Sequence, residues 1–233
     1  MPDPHLLDNP IWNSLIIEHA SLALGDDLAR RYPPDIGPLS GFPDPSDDAY
    51  SSLRSLAGPS GIIVLFLQSP PQPRPGWSLV RGGVLTQMLC PDPGRIDPAP
   101  NPVSAELRPL TAADVPAMVA LAELTEPGPF RTRTHELGLF FGVFESGRLV
   151  SMAGQRTRVP GFVEVSAVCT HPDARGRGYA RMLMSAVMAD IFAHGSQPYL
   201  HAFDDNHPAI RVYQSLGFAE RRTFHLAVLK NEQ

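Results

Sequence analysis

The chain has 233 residues, which is more than one average domain and less than two, and its formal net charge is -5. This charge gives no support to a nucleic-acid partner or an anionic membrane surface. The chain has no apolar run near the roughly 20 residues of a membrane span, no signal-peptide pattern and only two cysteines, so we expect a soluble cytoplasmic protein with free thiols.

The first half of the chain is rich in proline and predicts a small α/β unit over residues 1–90. Its predicted elements are a helix from Ile11 that runs into an extended segment at Leu24, a short helix capped by Asp47 or Asp48, a buried strand over 61–67, and a strand pair or one bent strand over 77–90. We find no catalytic constellation in this half. We therefore expect it to support the second half of the chain.

Prolines dominate residues 91–102, where they fix φ and remove amide donors. We place a linker there, and with it a domain boundary between residues 1–90 and residues 103–233. Beyond the linker the apolar pattern becomes regular and predicts the order β-α-α-β-β-β-α-β-α-β-β. The predicted elements are a strand at 103–109, a helix capped at Thr111 and Asp114, a short segment at 130–137, a hairpin over 139–159, a strand at 162–170, a helix at 178–194, a strand at 198–203, a helix ending at 216 and closing strands at 218–220 and 223–229.

The stretch from Val163 to Arg181 combines an apolar β-branched run, a glycine-rich turn and a long apolar helix. This arrangement presents unpaired backbone amides and a positive helix end to a phosphate group. Glycines allow close approach because they lack a Cβ, and Arg175, Arg177 and Arg181 add positive charge. The turn lacks the Gly-Lys-Ser/Thr of a P-loop, and its glycine spacing fits a Rossmann fingerprint poorly. An ordinary glycine turn before a helix stays an alternative on these residues alone.

The turn resembles motif A of the GNAT superfamily of acetyl-CoA-dependent N-acetyltransferases, Arg/Gln-x-x-Gly-x-Gly/Ala, which Arg175, Gly178 and Ala180 fill. A later stretch resembles a second GNAT signature in order and spacing: Asn206-x-x-Ala209-x-x-x-Tyr213-x-x-x-Gly217-Phe218. The resemblance covers residues 103–229. It implies the GNAT acyltransferase fold, an α/β (α+β) fold with a mixed, mostly antiparallel sheet flanked by helices, here preceded by a smaller α/β half-domain. The strand and helix content of the first half leaves open a degenerate second copy of the same fold.

The resemblance also implies which residues hold acetyl-CoA. The backbone at the end of the fourth strand would pair with the pantetheine arm, the glycine turn would bind the diphosphate, and Asn206 would hydrogen-bond the arm. Tyr213 would lie beside the thioester sulfur as the general acid for the leaving thiolate, a role open to a phenol that titrates near 10. The alternative for Tyr213 is a half-buried helix aromatic. The cofactor-binding residues expected on this basis are Val168, Cys169, Thr170, Arg175, Gly176, Arg177, Gly178, Tyr179, Ala180, Arg181 and Asn206.

Two residues are candidates for the general base that deprotonates the amine. Glu164 lies in an otherwise apolar strand, where a carboxylate needs a partner, a cavity or a raised pKa. Its even spacing predicts one sheet face shared with Val168 and Thr170. His201 lies in the fifth strand, where many GNAT enzymes carry a glutamate base, and an imidazole can act through a water. The alternatives are a strand-edge surface position for Glu164 and a satisfied core position for His201, and we rank Glu164 first by a narrow margin. A covalent route through Cys169 is a weaker alternative to direct transfer.

We therefore expect an acyltransferase that moves an acetyl group from acetyl-CoA to a primary amine by direct attack, with no metal site. We expect a small-molecule or peptide amine as partner, and neither nucleic acid nor membrane. Specificity should come from residues 130–136 and from the first half of the chain. The rival hypotheses are a non-catalytic acyl-CoA-binding sensor or partner module and, more weakly, a nucleotide-binding protein. The oligomeric state and the acceptor have no signal in the sequence.

Overall fold

The computed structural model describes residues 4–92 and 105–233. Five α-helices and eleven strands are found in these ranges, together with short 3-10 turns. The helices are α1 (Pro10–Ile16), α2 (Asp47–Ala57), α3 (Val115–Thr125), α4 (Tyr179–Ala193) and α5 (His207–Ser215). The strands are β1 (Leu24–Gly25), β2 (Arg30–Arg31), β3 (Ser40–Gly41), β4 (Ile62–Leu67), β5 (Trp77–Leu89), β6 (Glu106–Pro109), β7 (Phe140–Glu145), β8 (Arg148–Val159), β9 (Phe162–Thr170), β10 (Gln197–Phe203) and β11 (Ala219–Asn231).

Eight strands form one main sheet in the order β4-β11-β5-β10-β9-β8-β7-β6, and β1, β2 and β3 form a small second sheet. In the main sheet β9 and β10 are parallel, and the other neighbours are antiparallel. Helices cover both faces, which confirms the predicted fold class. The helices α4 and α5 pack on one face, where apolar side chains of β9 and β10 meet them. The other face is covered by α1, α2 and α3.

The first half of the chain is joined to the second through this sheet. Strand β5 lies between β10 and β11 and pairs with both, and β4 pairs with the outer edge of β11. The strands of both halves therefore share one sheet. Most of the predicted linker lies outside the described residues, and the division at residues 91–102 into two domains stays a prediction.

Two local predictions differ from the structure, and a third is decided by it between two alternatives. The N-cap of α2 is Ser46, whose Oγ accepts from the Ala49 N–H at 3.1 Å, while Asp47 and Asp48 occupy the first turn near the positive helix end. Residues 77–89 form one long strand, which agrees with the single-strand alternative and not with the strand pair. The two closing strands are one strand, β11, with a register shift between Glu220 and Arg222. No helix within residues 4–92 and 105–233 is both long and apolar enough to cross a membrane.

Candidate active site

The centre of the candidate site is a cleft between the parallel strands β9 and β10. Their pairing begins at Phe162 with Gln197 and ends at Glu164 with Tyr199. Beyond that pair β9 continues along β8 and β10 continues along β5, so the two strands separate. The unpaired backbone edges leave a wedge-shaped opening in the middle of the sheet, where a ligand can pair with a strand edge.

A bulge in β9 shapes the open part of this cleft. Ala167 has a φ of 52°, and the register of β9 on β8 shifts near it. As a result Val168 packs into the apolar cluster under α4, together with Val163 and Val165, while Glu164 lies on the opposite face. The predicted common face of Glu164 and Val168 is therefore wrong, because one extra residue in a strand reverses the alternation of side chains.

The residues at the end of β9 differ in what their backbone can offer. The carbonyl of Cys169 accepts from the Ser151 Oγ at 2.8 Å on the β8 side. Because successive residues direct their backbone groups to opposite strand edges, we expect Val168 to present its own groups to the cleft. The Thr170 hydroxyl is 2.7 Å from the same Ser151 Oγ. Burial raises the pKa of the Cys169 thiol to about 11, which disfavours a covalent acyl-cysteine.

The glycine turn connects β9 to α4 and has the geometry of an anion cradle. Gly176 and Gly178 have φ values of 76° and 80°, a left-handed conformation that favours glycine. An added Cβ at either glycine would meet no heavy atom of the described residues within 4 Å, so the space beside the turn is open. Helix α4 starts at Tyr179, and its first amides have no partner within the helix. This open cradle beside unpaired amides fits a diphosphate.

The arginines of the turn have different surroundings. Arg177 donates through Nη1 to Glu145 at 2.6 Å and through Nη2 to the Asp173 carbonyl at 2.9 Å. The Tyr179 hydroxyl donates to the same Glu145 carboxylate. Glu145, the last residue of β7, thus ties the turn and the start of α4 to the sheet. Among the three arginines, Arg177 is the most fully engaged with the protein itself.

Arg175 and Arg181 are held more loosely than Arg177. Arg175 contacts the Thr170 carbonyl through Nε at 3.4 Å, and Arg181 donates to the Ser215 Oγ at 3.0 Å. Both side chains retain further N–H groups at the rim of the turn. They are therefore better suited than Arg177 to contact an anion directly.

The second motif forms α5 and its flanks. The Asn206 side chain caps the helix, with its Oδ1 accepting from the Ala209 N–H at 3.3 Å, which leaves the amide NH₂ as the donor for a ligand. Tyr213 is half-buried in the same apolar cluster as Val168, with its ring 6.3 Å from that of Phe218. Burial raises the pKa of Tyr213 to about 12, so the phenol keeps its proton at neutral pH. The glycine turn, through Tyr179, and the second motif, through Tyr213, therefore border one apolar cluster at the cleft.

On the opposite face, Glu164 is the centre of a buried hydrogen-bond network. Its side chain is 1% exposed. Arg156 of β8 donates to it through Nε at 2.9 Å and through Nη2 at 2.6 Å, and Thr157 donates through its hydroxyl. Although desolvation acts in the opposite direction, Arg156 and these hydrogen bonds hold the pKa of Glu164 well below its usual range. The carboxylate thus has a partner and stays ionised.

His201 is the next member of this network. Its Nδ1 lies 2.7 Å from Glu164 Oε1, and its Nε2 lies 3.0 Å from the Gln87 Nε2. The neutral tautomer with the proton on Nδ1 satisfies both contacts, because it donates to Glu164 and accepts from the Gln87 amide. Burial lowers the pKa of His201, so the ring is neutral at neutral pH. The two candidate bases are therefore one coupled pair.

The sequence and the fold of the chain are similar to those of known proteins. A GNAT-family protein of known structure from Novosphingobium aromaticivorans is 40% identical, with a TM-score of 0.88, over 98% of this chain and 100% of that chain. The chain belongs to the GNAT family. Residues 140–226 also match the family model described as FR47-like protein. Membership of this family supports acyl transfer in general.

Two more distant GNAT structures share the fold. A GCN5-related N-acetyltransferase from Kribbella flavida is 16% identical over 96% of each chain, with a TM-score of 0.63. A tandem GNAT protein from the clavulanic acid biosynthesis pathway is 16% identical over 87% of this chain and 78% of that chain, with a TM-score of 0.58. No curated protein sequence matches the chain.

Sequence reasoning missed four residues that shape this GNAT site: Glu145, Arg156, Ala167 and Gln87. Glu145 carried a weak signal, since it is a charged residue at the end of an apolar strand and needs a partner, whereas Arg156 carried none, because its neighbours Gln155, Thr157 and Arg158 are polar as well. Ala167 carried none, because alanine has no preference for the left-handed region. Gln87 lies in the first half of the chain, which has no recognisable motif, and only the insertion of β5 brings it to His201.

Proposed function

We propose that this GNAT protein is an N-acetyltransferase that transfers an acetyl group from acetyl-CoA to a primary amine by direct attack. The observation that carries the proposal is the cleft between β9 and β10. It lies beside the cluster of Val168 and Tyr213 on one face and beside the buried Glu164–His201 pair on the other. A thioester and an amine that enter from opposite faces would meet at the bulge.

Acetyl-CoA, when bound, supplies an acyl group activated as a thioester. The amides at the start of α4, with Arg175 and Arg181 at the rim, would hold its diphosphate. Asn206 would donate to its arm through the amide NH₂, and Val168 would pair with it as a strand edge. Backbone amides at the bulge would stabilise negative charge on the carbonyl oxygen during attack.

Tyr213 is proposed as the general acid. Its raised pKa keeps the phenol protonated throughout the neutral range, so the proton is available when negative charge develops on the departing sulfur. Half-burial in an apolar cluster also excludes competing water.

For the base we propose that His201 accepts the amine proton at Nε2 once the acceptor amine takes the place of the Gln87 amide there, and that Glu164 orients the ring through Nδ1. This reverses the order of the two residues predicted from the sequence. An ionised carboxylate whose pKa is strongly lowered is a very weak base. Burial also lowers the pKa of His201, but an imidazole starts from a higher ordinary pKa than a carboxyl group, so the neutral ring is the stronger base of the two. Glu164 would stabilise the imidazolium that forms, as the carboxylate does in a Ser-His-Asp triad.

Two measurements test the proposal. The first is calorimetric titration with acetyl-CoA and with free coenzyme A, where we expect binding to both. The second is thiol release with a panel of primary amines, on wild type and on Tyr213→Phe. We expect kcat to fall about 10²- to 10⁴-fold in the variant with the coenzyme A Kd unchanged. Tyr50→Phe on α2 is the matched control and should keep wild-type kcat. Unchanged turnover in Tyr213→Phe would remove the phenol from the mechanism.

A second candidate function is a non-catalytic acyl-CoA sensor. One observation favours it: in the network of the described residues Gln87 lies against His201 Nε2, so the lone pair needed for proton uptake is occupied. This candidate predicts coenzyme A binding without thiol release for every amine. Thiol release that depends on His201 would exclude it.

A further inference from the structure

A series of side-chain contacts leads from the buried ring of His201 to the protein surface. The Gln87 Nε2 lies 3.0 Å from His201 Nε2, and the Gln87 Oε1 accepts from Arg221 Nη1 at 2.8 Å. Arg221 Nη2 in turn donates to the Asp8 carboxylate at 2.6 Å. The series therefore connects the proposed base to β5 and Asp8 of the first half of the chain and to the last strand, β11.

A bulge in β11 directs Arg221 towards Gln87. The register of β11 on β5 shifts between Glu220 and Arg222, so Arg221 is an extra residue, and Gln87 is the register partner of Arg222. In a bulge, two consecutive residues of one strand lie opposite one residue of its neighbour. Both arginines accordingly reach the same Asp8 oxygen, at 2.6 and 2.9 Å. Among the contacts of the described residues, Arg221 and not Arg222 donates to the Gln87 amide.

Two neighbours determine which way the Gln87 amide points. A guanidinium can only donate, so the group that faces Arg221 must be the carbonyl oxygen of the amide. A backbone carbonyl can only accept, and the Leu7 carbonyl lies 3.0 Å from the Gln87 Nε2. The reversed amide would lose both hydrogen bonds in a fully buried position. The NH₂ group of Gln87 therefore faces His201.

The fixed amide decides which protonation state of His201 fits the site. The Gln87 NH₂ group is a donor, and only a ring nitrogen without a proton can accept from it. A ring that is protonated at Nε2 would place two donors against each other in buried surroundings, which is unfavourable. With Nε2 as the acceptor, the ring proton lies on Nδ1 and is donated to Glu164 at 2.7 Å.

The charges that face the ring act in opposite directions. Burial lowers the pKa of His201, and the Arg156 guanidinium of β8 acts in the same direction, whereas the Glu164 carboxylate of β9 acts to raise it. Three aromatic rings also pack on the imidazole, with centroids 4.8, 5.8 and 5.4 Å away: Phe66, Tyr199 and Phe224. The Gln87 donor thus adds to the effects that oppose an imidazolium beside the carboxylate.

We infer that Gln87 and Arg221 are positioning residues for His201: Arg221 fixes the Gln87 amide, and the Gln87 NH₂ group keeps the ring neutral with its lone pair at Nε2. This inference deepens the proposed N-acetyltransferase function and rests on it. The Gln87 NH₂ group makes the contact that the N–H of a neutral amine makes when it takes that place. The lone pair is therefore already on the nitrogen that accepts the proton.

Nitrogen NMR of the imidazole rings tests the inference, because the chemical shifts of Nδ1 and Nε2 report which of them carries a proton. The His201 signals are assigned by their loss in His201→Asn. In wild type we expect a neutral ring at neutral pH, with its proton on Nδ1. Gln87→Met keeps the length of the side chain but has no donor, so the ring should become protonated about one to two pH units higher than in wild type.

Two arginine variants separate the positioning role from the ion pair with Asp8. Arg221→Met should move the midpoint of ring protonation in the same direction as Gln87→Met but by less, because the Leu7 carbonyl still holds the amide. Arg222→Met is the matched control, since Arg222 also pairs with Asp8. Its midpoint should equal that of wild type.

The pH dependence of acetyl transfer gives a second readout. The acid limb of kcat/KM reports the protonation of the base in the free enzyme. It should move to higher pH in Gln87→Met and Arg221→Met by the same amounts as the NMR midpoints, and it should stay in place in Arg222→Met. A loss of packing alone would lower kcat/KM at every pH without moving the limb.

The outcomes that would overturn the inference are distinguishable from failure of the proposed function. A wild-type ring that is protonated at neutral pH, or that carries its proton on Nε2, would refute it, and so would unchanged midpoints in Gln87→Met and Arg221→Met. If Gln87→Met does not fold, Arg221→Met decides alone, because its side chain is 20% exposed and less critical for packing. Absence of thiol release from every amine, with the NMR midpoints as expected, would refute the proposed function and leave the control of the His201 proton intact.

Discussion

Replacement of Glu164 by glutamine separates the structural role of this carboxylate from its role in catalysis. Glutamine keeps the shape of the side chain but removes its charge. It leaves the mostly buried Arg156 guanidinium without its charged partner. The NH₂ group of the glutamine must also face a hydrogen-bond donor, from either Arg156 or His201, where the carboxylate had an acceptor oxygen.

The expected size of the effect follows from the burial of the pair. Removal of one partner from a buried ion pair destabilises a protein by about 3–5 kcal/mol. A chain of this length loses about 2–4 °C in Tm per kcal/mol, so we expect a fall of roughly 6–20 °C. Acetyl transfer should also fall, because the His201 ring loses the acceptor that orients it.

Thermal unfolding and urea titration of Glu164→Gln measure this directly, and Asp47→Asn is the control. Asp47 pairs with Arg74 at 2.6 Å, but its side chain is 87% exposed, so this substitution should change stability by less than about 1 kcal/mol. If the two variants unfold within about 2 °C of each other, the buried network does not stabilise the fold and our reasoning about it is wrong.

The pH dependence gives a second check on the same variant. The folded-state pKa of Glu164 lies below the unfolded value of about 4.3, so its contribution is complete above that value and is lost as the pH falls through the folded pKa. The difference between wild type and Glu164→Gln should therefore be constant from about pH 6 to 8 and shrink only in acid.

Three further predictions concern other parts of the molecule. Burial lowers the pKa of His19 to about 4, so the stabilisation from its neutral form is complete above the unfolded pKa of about 6.5 and is lost as the pH falls toward 4. Urea titration should show that this group makes the free energy of unfolding about 2 kcal/mol lower at pH 5 than at pH 8. This loss should be absent in His19→Gln and retained in the exposed His207→Gln. Gly178→Glu should weaken coenzyme A binding by calorimetry more than Gly178→Ala does, since both strain the same φ of 80° but only glutamate adds negative charge; equal Kd values would contradict a diphosphate at this turn. Glu145→Gln and Arg177→Gln should each raise the coenzyme A Kd. The double variant should have the same Kd as either single variant, because both substitutions remove one contact. Additive losses of binding free energy in the double variant would mean that Arg177 binds the cofactor independently of Glu145.

The order of the predicted strands and helices, together with the two motifs, was enough to predict the fold of the second half of the chain. The β-branched run at 162–170, the glycines of the turn and the apolar helix that follows have local signals strong enough to fix their type and nearly their bounds. The GNAT resemblance rested on the same residues, since a left-handed turn before a helix requires glycine and an anion cradle requires exposed amides. Gly178, Asn206 and Tyr213 could thus be named as site candidates because they match the GNAT motifs, and their roles are what that resemblance implies.

The tertiary structure alone decided what surrounds the reacting groups. Whether the Glu164 pKa rises or falls depends on Arg156, eight residues away on a neighbouring strand, and no local pattern specifies that register. The position of Gln87 against His201 depends on the insertion of β5 between β10 and β11, a pairing between distant parts of the chain. Local sequence sets which residues form strands and turns, whereas the charge state of a buried side chain is set by partners that only the assembled sheet brings within a few ångströms.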